Sequence, residues 1–147
     1  MCLATNFKKP EIATEDIVVY KVLRENYNPF MLHSVYYTSP LVSPNNAIKY
    51  NKGVNKPFRE NYLNDDYYFH CEGESVMCDL SRRQRIGKGW LHAFTTQINA
   101  QITADNLSRK KSFYGNRCGC VKMIIPKGAK YILSYDEKEI ATDTLIW

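Results

Sequence analysis

The sequence predicts an α+β fold, with a mainly antiparallel or mixed β-sheet and one principal α-helix. Short segments rich in β-branched and aromatic residues are separated by turn residues, which is typical of strands. Only the stretch 95–111 repeats its apolar residues at the spacing of a helix. Because strands and helices do not alternate along the chain, a doubly wound parallel sheet is not expected. The 147 residues suit a single domain, 1–147, in which residues 1–15 form an N-terminal arm or lead-in.

Predicted strands occupy both halves of the chain. Residues 16–23 form the clearest strand, and the turn residues at 26–29 are expected to end it. A second strand is expected at 34–38, and an irregular loop at 40–64 holds one short strand at 47–50. The later strands are predicted at 66–71, 90–94, 118–125, 130–135 and 139–146.

The predicted helix begins after a threonine, because Thr95 or Thr96 can accept hydrogen bonds from the first backbone amides of a helix. It is expected to end near 109–111, where cations suit the negative end of the helix dipole. Its apolar positions are Ile98, Ile102 and Leu107, with Ala100 and Ala104 between them.

The net charge of +5 hides a strongly basic segment between two mildly acidic ones. Residues 82–130 hold eleven lysines and arginines and one acid, Asp105, whereas residues 1–81 and 131–147 carry net charges of −2 and −3. Such a segment can create a positive potential that attracts an anion. Two interpretations stay open: an anion site, or a solvated face beside which the acidic flanks fold.

The five cysteines favour reduced thiols, since their number is odd and the chain starts without the apolar run of a secretory signal. No apolar run approaches the roughly 20 residues that a membrane span needs. The spacing of His70, Cys71, Cys78, Cys118 and Cys120 differs from that of a usual zinc knuckle. Buried reduced cysteines are therefore favoured over a metal site. Cys118 and Cys120 are expected to share one face of a strand.

Four motifs resemble a family of small proteins from phages and Bacteroidetes-type genomes, which carries no established activity. They are Met1-Cys-Leu-x-Thr-Asn6, Ile12-Ala-Thr-Glu-Asp-Ile-x-x-Tyr-Lys21, Gly89-x-x-His-Ala-Phe94 and Ile125-Pro-Lys-Gly-x-x-Tyr131. The resemblance runs from end to end of the chain and implies a phage or prophage context. The reduced thiols predict the cytoplasm of a bacterial host cell as the location, and the phage context makes an anti-defence role the expected setting.

Residues 87–94, followed by the helix, also resemble the middle element of the ADP-ribosyltransferase fold. In that fold a Gly-x-Gly-x-aromatic strand precedes a helix. The first strand here carries Tyr20-Lys21 where the family has an Arg or His, and the late catalytic glutamate corresponds only to Glu137 or Glu139. This likeness implies a degenerate or active NAD-dependent transferase as an alternative.

No motif in the sequence predicts a catalytic group or a cofactor. Among the histidines, His92 is the best candidate for a catalytic group, although a structural role with a hydrogen-bonded ring is favoured for it. The turn Gly87-Lys88-Gly89 lacks the spacing of a Walker phosphate-binding loop, but its backbone amides can bind an anion. Neighbouring arginines and a stacking aromatic residue would help to hold that anion. The candidate ligand-binding residues are Arg82, Arg83, Arg85, Lys88, Trp90, His92, Arg109, Lys110 and Arg117.

The sequence therefore predicts a non-catalytic protein that binds or sequesters a small anionic, nucleotide-like ligand. The alternatives are a host-directed protein-binding module with a tyrosine-rich surface and an ADP-ribosyltransferase-like enzyme. No membrane partner is expected, and a nucleic-acid partner has no recognisable motif to support it. The apolar end Leu145-Ile-Trp147 must pack in the sheet or against a partner, and it motivates a predicted homo-oligomer.

Overall fold

A computed structural model describes residues 10–27, 35–40, 49–57, 90–109, 117–134 and 136–147, and the backbone alone of 4–5 and 84–85. Its elements are β1 (Ala4–Thr5), β2 (Glu11–Ile12), β3 (Ile17–Tyr27), β4 (Val35–Thr38), β5 (Lys49–Tyr50), β6 (Val54–Asn55), β7 (Gln84–Arg85), β8 (Leu91–Phe94), α1 (Gln97–Arg109), β9 (Cys118–Ile125), β10 (Lys130–Leu133), β11 (Glu139–Thr142) and β12 (Leu145–Ile146). The predicted strand at 66–71 lies outside the described residues.

Ten of the described strands form one sheet, in which every pair is antiparallel. Its strand order is β2-β10-β11-β8-β3-β9-β12-β6, and β4 pairs with β3 and β5 beside this path. The longest ladder joins the central strands β3 and β9, from Ile17↔Ile125 to Arg24↔Cys118. One helix on a large antiparallel sheet confirms the predicted α+β class.

Two predicted strand boundaries are wrong. β3 continues through Asn26, where turn residues predicted a break, because β4 supplies ladder partners as far as Tyr27. The predicted strand 139–146 is divided, since β11 ends at Thr142 and β12 begins at Leu145. The Thr142 hydroxyl accepts a hydrogen bond from the backbone amide at 144, which holds the bend between the two strands.

Alternation along the strands assigns each side chain to one of two faces of the sheet. One face, here called the core face, carries the main apolar cluster. Its central members are at most 2% exposed and include Val19, Leu23, Leu91, Met123 and Leu145. Removal of this much apolar surface from water is the main stabilising contribution to the fold.

The opposite face, here called the helix face, carries α1. Ala100, Ala104 and Leu107 are buried there against the sheet, whereas Ile98 and Ile102 are 67% and 53% exposed. The buried residues follow the i, i+4, i+7 spacing of one helix stripe, so the other two apolar residues lie on a different stripe. Among the described residues no helix is long and apolar enough to cross a membrane.

The apolar C-terminus packs within the chain's own sheet. Leu145 is fully buried, and the Trp147 ring meets the Tyr37 ring edge-on with centroids 5.2 Å apart. The Lys52 ammonium lies 4.1 Å from the centroid of the Trp147 ring. Leu145 and Trp147 thus satisfy the first of the two expected outcomes for the terminus.

Candidate functional site

Five of the predicted ligand-binding residues cannot be placed in a site. Arg82, Arg83, Lys88 and Lys110 lie outside the described residues. Arg85 is described by its backbone alone, in the short pairing of β1 with β7 that is separate from the large sheet. Their part in binding therefore stays a prediction.

Arg109 and Arg117 lie together where α1 ends and β9 begins. The Ser108 hydroxyl accepts a hydrogen bond from the Cys118 amide at 3.1 Å and donates one to the Cys118 carbonyl at 3.2 Å. Each arginine is the chain neighbour of one of these bonded residues, so the two bonds hold the backbones of the arginines close together. We call this place the arginine junction, defined by Ser108, Arg109, Arg117 and Cys118.

Both guanidinium groups of the arginine junction are available to a ligand. Arg109 and Arg117 are exposed, and neither forms an ion pair or side-chain hydrogen bond with another described residue. The Arg109 charge also suits the negative end of the α1 dipole, as the sequence predicts. The positive charge of Arg109 therefore stabilises the end of α1, and its exposed guanidinium also faces solvent.

A buried arginine lies beside the junction. Arg24 is 1% exposed and pairs with Cys118 across the β3–β9 ladder, on the helix face. Its guanidinium donates to the Asn26 side-chain oxygen at 3.1 Å and to the Thr38 hydroxyl at 3.3 Å.

The end of β3 adds a carboxylate and an aromatic ring to the edge of the junction. The Glu25 amide donates to the Arg117 carbonyl at 2.9 Å. The Glu25 carboxylate accepts a hydrogen bond from the Tyr27 hydroxyl at 3.3 Å, and the Tyr27 side chain is 66% exposed. Sequence reasoning missed Tyr27 because it placed a turn there, although the alternation Leu23, Glu25, Tyr27 continues the strand.

At the other end of the basic segment, the acidic flanks fold beside the lysines. The Lys127 amide donates to the Asp16 carboxylate at 2.9 Å, and the Lys130 amide donates to the Asp143 carboxylate at 3.2 Å. The C-terminal end of the basic segment therefore fits the interpretation of a solvated face beside which the acidic flanks fold. The anion-site interpretation stays a prediction for the arginine junction.

Trp90 and His92 are buried away from solvent. They are 2% and 6% exposed, and alternation puts both rings on the helix face together with Phe94. A ring with so little exposed surface cannot stack on a ligand that arrives from solvent. Neither residue therefore extends the arginine junction.

His92 is a buried histidine with an orphaned ring nitrogen. Within the part of the chain that the structure describes, Nε2 of His92 has no hydrogen-bond partner. Burial lowers the pKa of His92 well below its usual value of 6.5, and the nearby charge of Lys21 lowers it further. The imidazole is therefore neutral at pH 7.

Lys21 is a buried cation that sequence reasoning missed. It is 3% exposed and lies on the core face between Val19 and Leu23. Its ammonium donates to the His92 carbonyl at 2.6 Å and lies 4.9 Å from the centroid of the Tyr50 ring. Within the described residues, β3 and β8 pair only at Tyr20↔Phe94. Lys21 therefore donates to the His92 carbonyl close to the point where the pairing of the two strands stops. The signal in the sequence was a charge at an inward position of an otherwise apolar alternation.

Cys118 and Cys120 share the helix face, which confirms the predicted placement. Both are half-buried thiols without a disulfide partner, and they pack against the cluster beneath α1. Burial raises the pKa of both thiols, and for Cys118 it outweighs the opposing charge of Arg24. No group of three or more potential metal ligands occurs among the described residues.

We expect both thiols to react slowly in the folded protein. Iodoacetamide attacks the thiolate, and a raised pKa lowers the fraction of thiolate at neutral pH. Peptide-resolved mass spectrometry should show slower alkylation of Cys118 and Cys120 in the native protein than in urea. Equal rates in the two states would contradict the burial.

The glutamates that the ADP-ribosyltransferase likeness singles out lie in and beside the turn before β11. Glu139 pairs with Phe94 on the helix face, whereas the Lys21 side chain lies on the core face. Burial raises the pKa of Glu139, and the charge of Asp136 raises it further. Glu137 occupies the turn itself with a φ of 59°. The sheet therefore separates Glu139 from Lys21.

Comparison of the chain with protein-family models, with curated proteins and with solved structures found no match. Function is therefore inferred from the residues of the site.

Proposed function

We propose that the protein binds a small anionic, nucleotide-like ligand at the arginine junction, without catalysing its conversion. One observation supports this above all others. The Ser108–Cys118 bonds hold the backbones of Arg109 and Arg117 close together, and both side chains are exposed and without an ion-pair partner among the described residues. Exposed guanidinium groups suit phosphate oxygens, because each can donate two parallel hydrogen bonds.

The neighbours of the junction shape the expected ligand. The exposed Tyr27 ring offers a surface on which a base can stack, which favours a nucleotide over inorganic phosphate. Glu25 and the C-terminal end of α1 add negative potential, so we expect modest affinity that falls as salt rises. Binding without turnover also fits sequestration of a signalling nucleotide in a phage context.

Thermal-shift titration with linear and cyclic nucleotides tests the proposal. A ligand that binds only the folded protein stabilises it by about 2.7 kcal/mol at 100 times its dissociation constant. We expect the melting temperature to rise with nucleotide concentration and the rise to shrink in high salt. The absence of a shift with every nucleotide, up to about millimolar concentration, would overturn the proposal.

The double variant Arg109→Gln/Arg117→Gln should lose most of the binding. A hydrogen bond to a charged group contributes about 1.5–3 kcal/mol, so the loss of two should weaken binding by about 100-fold or more. Isothermal titration calorimetry measures the change, and the melting temperature without ligand shows that the variant folds.

Lys127→Gln provides the matched control for the double variant. Lys127 is exposed and belongs to the same basic segment, but it lies beside Asp16, away from the junction. Its removal changes the net charge without touching the proposed site. An equal loss of binding in this control, or full binding in the double variant, would place the ligand elsewhere.

A further inference from the structure

Part of the helix face carries an apolar row that α1 does not cover. Val18 of β3 pairs with Ile124 of β9, Ile124 pairs with Ile146 of β12, and Ile146 pairs with Val54 of β6. Residues paired directly across antiparallel strands point to the same face of the sheet. These four residues, which we call the apolar row, therefore form a continuous line across four strands. At about 4.8 Å between strands, the row is about 14 Å long.

The apolar row is exposed to solvent. Val18 and Val54 are 43% and 63% exposed, and Ile124 and Ile146 are half-buried. Their chain neighbours Val19, Met123, Ile125 and Leu145 are at most 1% exposed on the core face. The row is thus separate from the core, and the exposed side chains of Val18 and Val54 make it a candidate interaction surface.

Opposite charges flank the row on its two sides. Asp16 precedes Val18 by two residues and Lys122 precedes Ile124 by two residues, and both are exposed. Because β3 and β9 run antiparallel, Asp16 lies on one side of the row and Lys122 on the other. The bond from the Lys127 amide to the Asp16 carboxylate fixes Asp16 beside the end of β9.

This arrangement of charges is self-complementary. Rotation by 180° about an axis along the apolar row places the row of a second copy on the row of the first. The same rotation brings Asp16 of each copy to the side of the row on which Lys122 of the other lies, about 4.8 Å from it along the row. An isologous interface requires a surface that complements itself in this way.

We propose that the protein forms a twofold-symmetric homodimer through the apolar row, with a second copy of the chain as its partner. The partner's sheet occupies the part of the helix face beside α1. Packed sheets lie about 10 Å apart, and a helix with its side chains is about 10 Å across, so the two fit in one layer. This surface includes Ile146, one of the C-terminal residues that motivated a homo-oligomer from the sequence, and the arginine junction takes no part in it.

Sedimentation velocity on the full chain tests the dimer. We expect wild-type protein to reach twice its mass of 17.1 kDa as its concentration rises, over a range of about 1 to 100 μM. Val54→Asp places two carboxylates opposite each other at the interface and should weaken association by about 100-fold or more. Ile12→Asp is the matched control, since Ile12 is 54% exposed in the short strand at the other edge of the sheet. It should leave the dimer intact.

A charge exchange tests the symmetry. Asp16→Lys alone and Lys122→Asp alone should each weaken association, and the two together should restore it. Melting temperatures identify any variant that fails to fold, which matters for Asp16→Lys because it removes the bond to the Lys127 amide. A monomeric wild type, a Val54→Asp variant that still dimerises, or a folded double variant without restored association would each overturn the proposal.

Discussion

Replacing Lys21 with alanine is expected to lower the free energy of unfolding by about 3 kcal/mol or more. The buried ammonium donates to the His92 carbonyl and lies over the Tyr50 ring. Its four-carbon stem fills the core face between Val19 and Leu23. Alanine would leave a cavity there and a buried carbonyl without its donor, and both changes are costly.

Lys21→Met separates packing from charge in this prediction. Methionine keeps most of the volume but cannot donate to the His92 carbonyl. The loss of that bond is offset by the removal of a buried charge, so we expect the methionine variant to lie within about 1–2 kcal/mol of wild type. Urea denaturation of the three proteins measures the differences. A methionine variant as unstable as the alanine variant would show that the charge, and not the packing, stabilises the fold.

Replacing His92 with phenylalanine should remove a pH dependence of stability. Burial disfavours the charged imidazole in the folded protein but not in the unfolded chain. As the pH falls below the usual value of 6.5, the unfolded chain therefore binds a proton that the folded protein does not. Wild-type stability is fully present above that pH and falls below it, by up to about 1.4 kcal/mol per pH unit until the lowered pKa is reached.

The stability difference between His92→Phe and wild type isolates this effect. Glu139 and the other titrating groups are present in both proteins, so their contributions cancel to a first approximation. Phenylalanine also removes the orphaned Nε2, and the fit of its larger ring costs about 1–3 kcal/mol, which does not depend on pH. Urea denaturation from about pH 7 down to about pH 5 should show the difference shifting in favour of the variant. A constant difference across this range would mean that folding does not lower the pKa of His92.

The sequence predicted the elements of the sheet better than the composition of the site. Strand 118–125 and the helix were found because their alternation and spacing are local properties. The closeness of the Arg109 and Arg117 backbones depends on two hydrogen bonds of Ser108, which a local sequence pattern does not predict. Trp90 and His92 were candidates because they lie next to the basic turn, yet the tertiary structure buries both.

By itself, the sequence determined that this chain forms a β-rich domain with one helix and a basic segment, because apolar periodicity and charge are local properties of consecutive residues. Only the tertiary structure decided which charges remain available to a partner. The acidic flanks lie beside Lys127 and Lys130 but leave Arg109 and Arg117 without an ion pair among the described residues. It also decided that α1 covers part of one sheet face and leaves the apolar row exposed. Both outcomes depend on strand order and register, which bring together residues far apart in the chain.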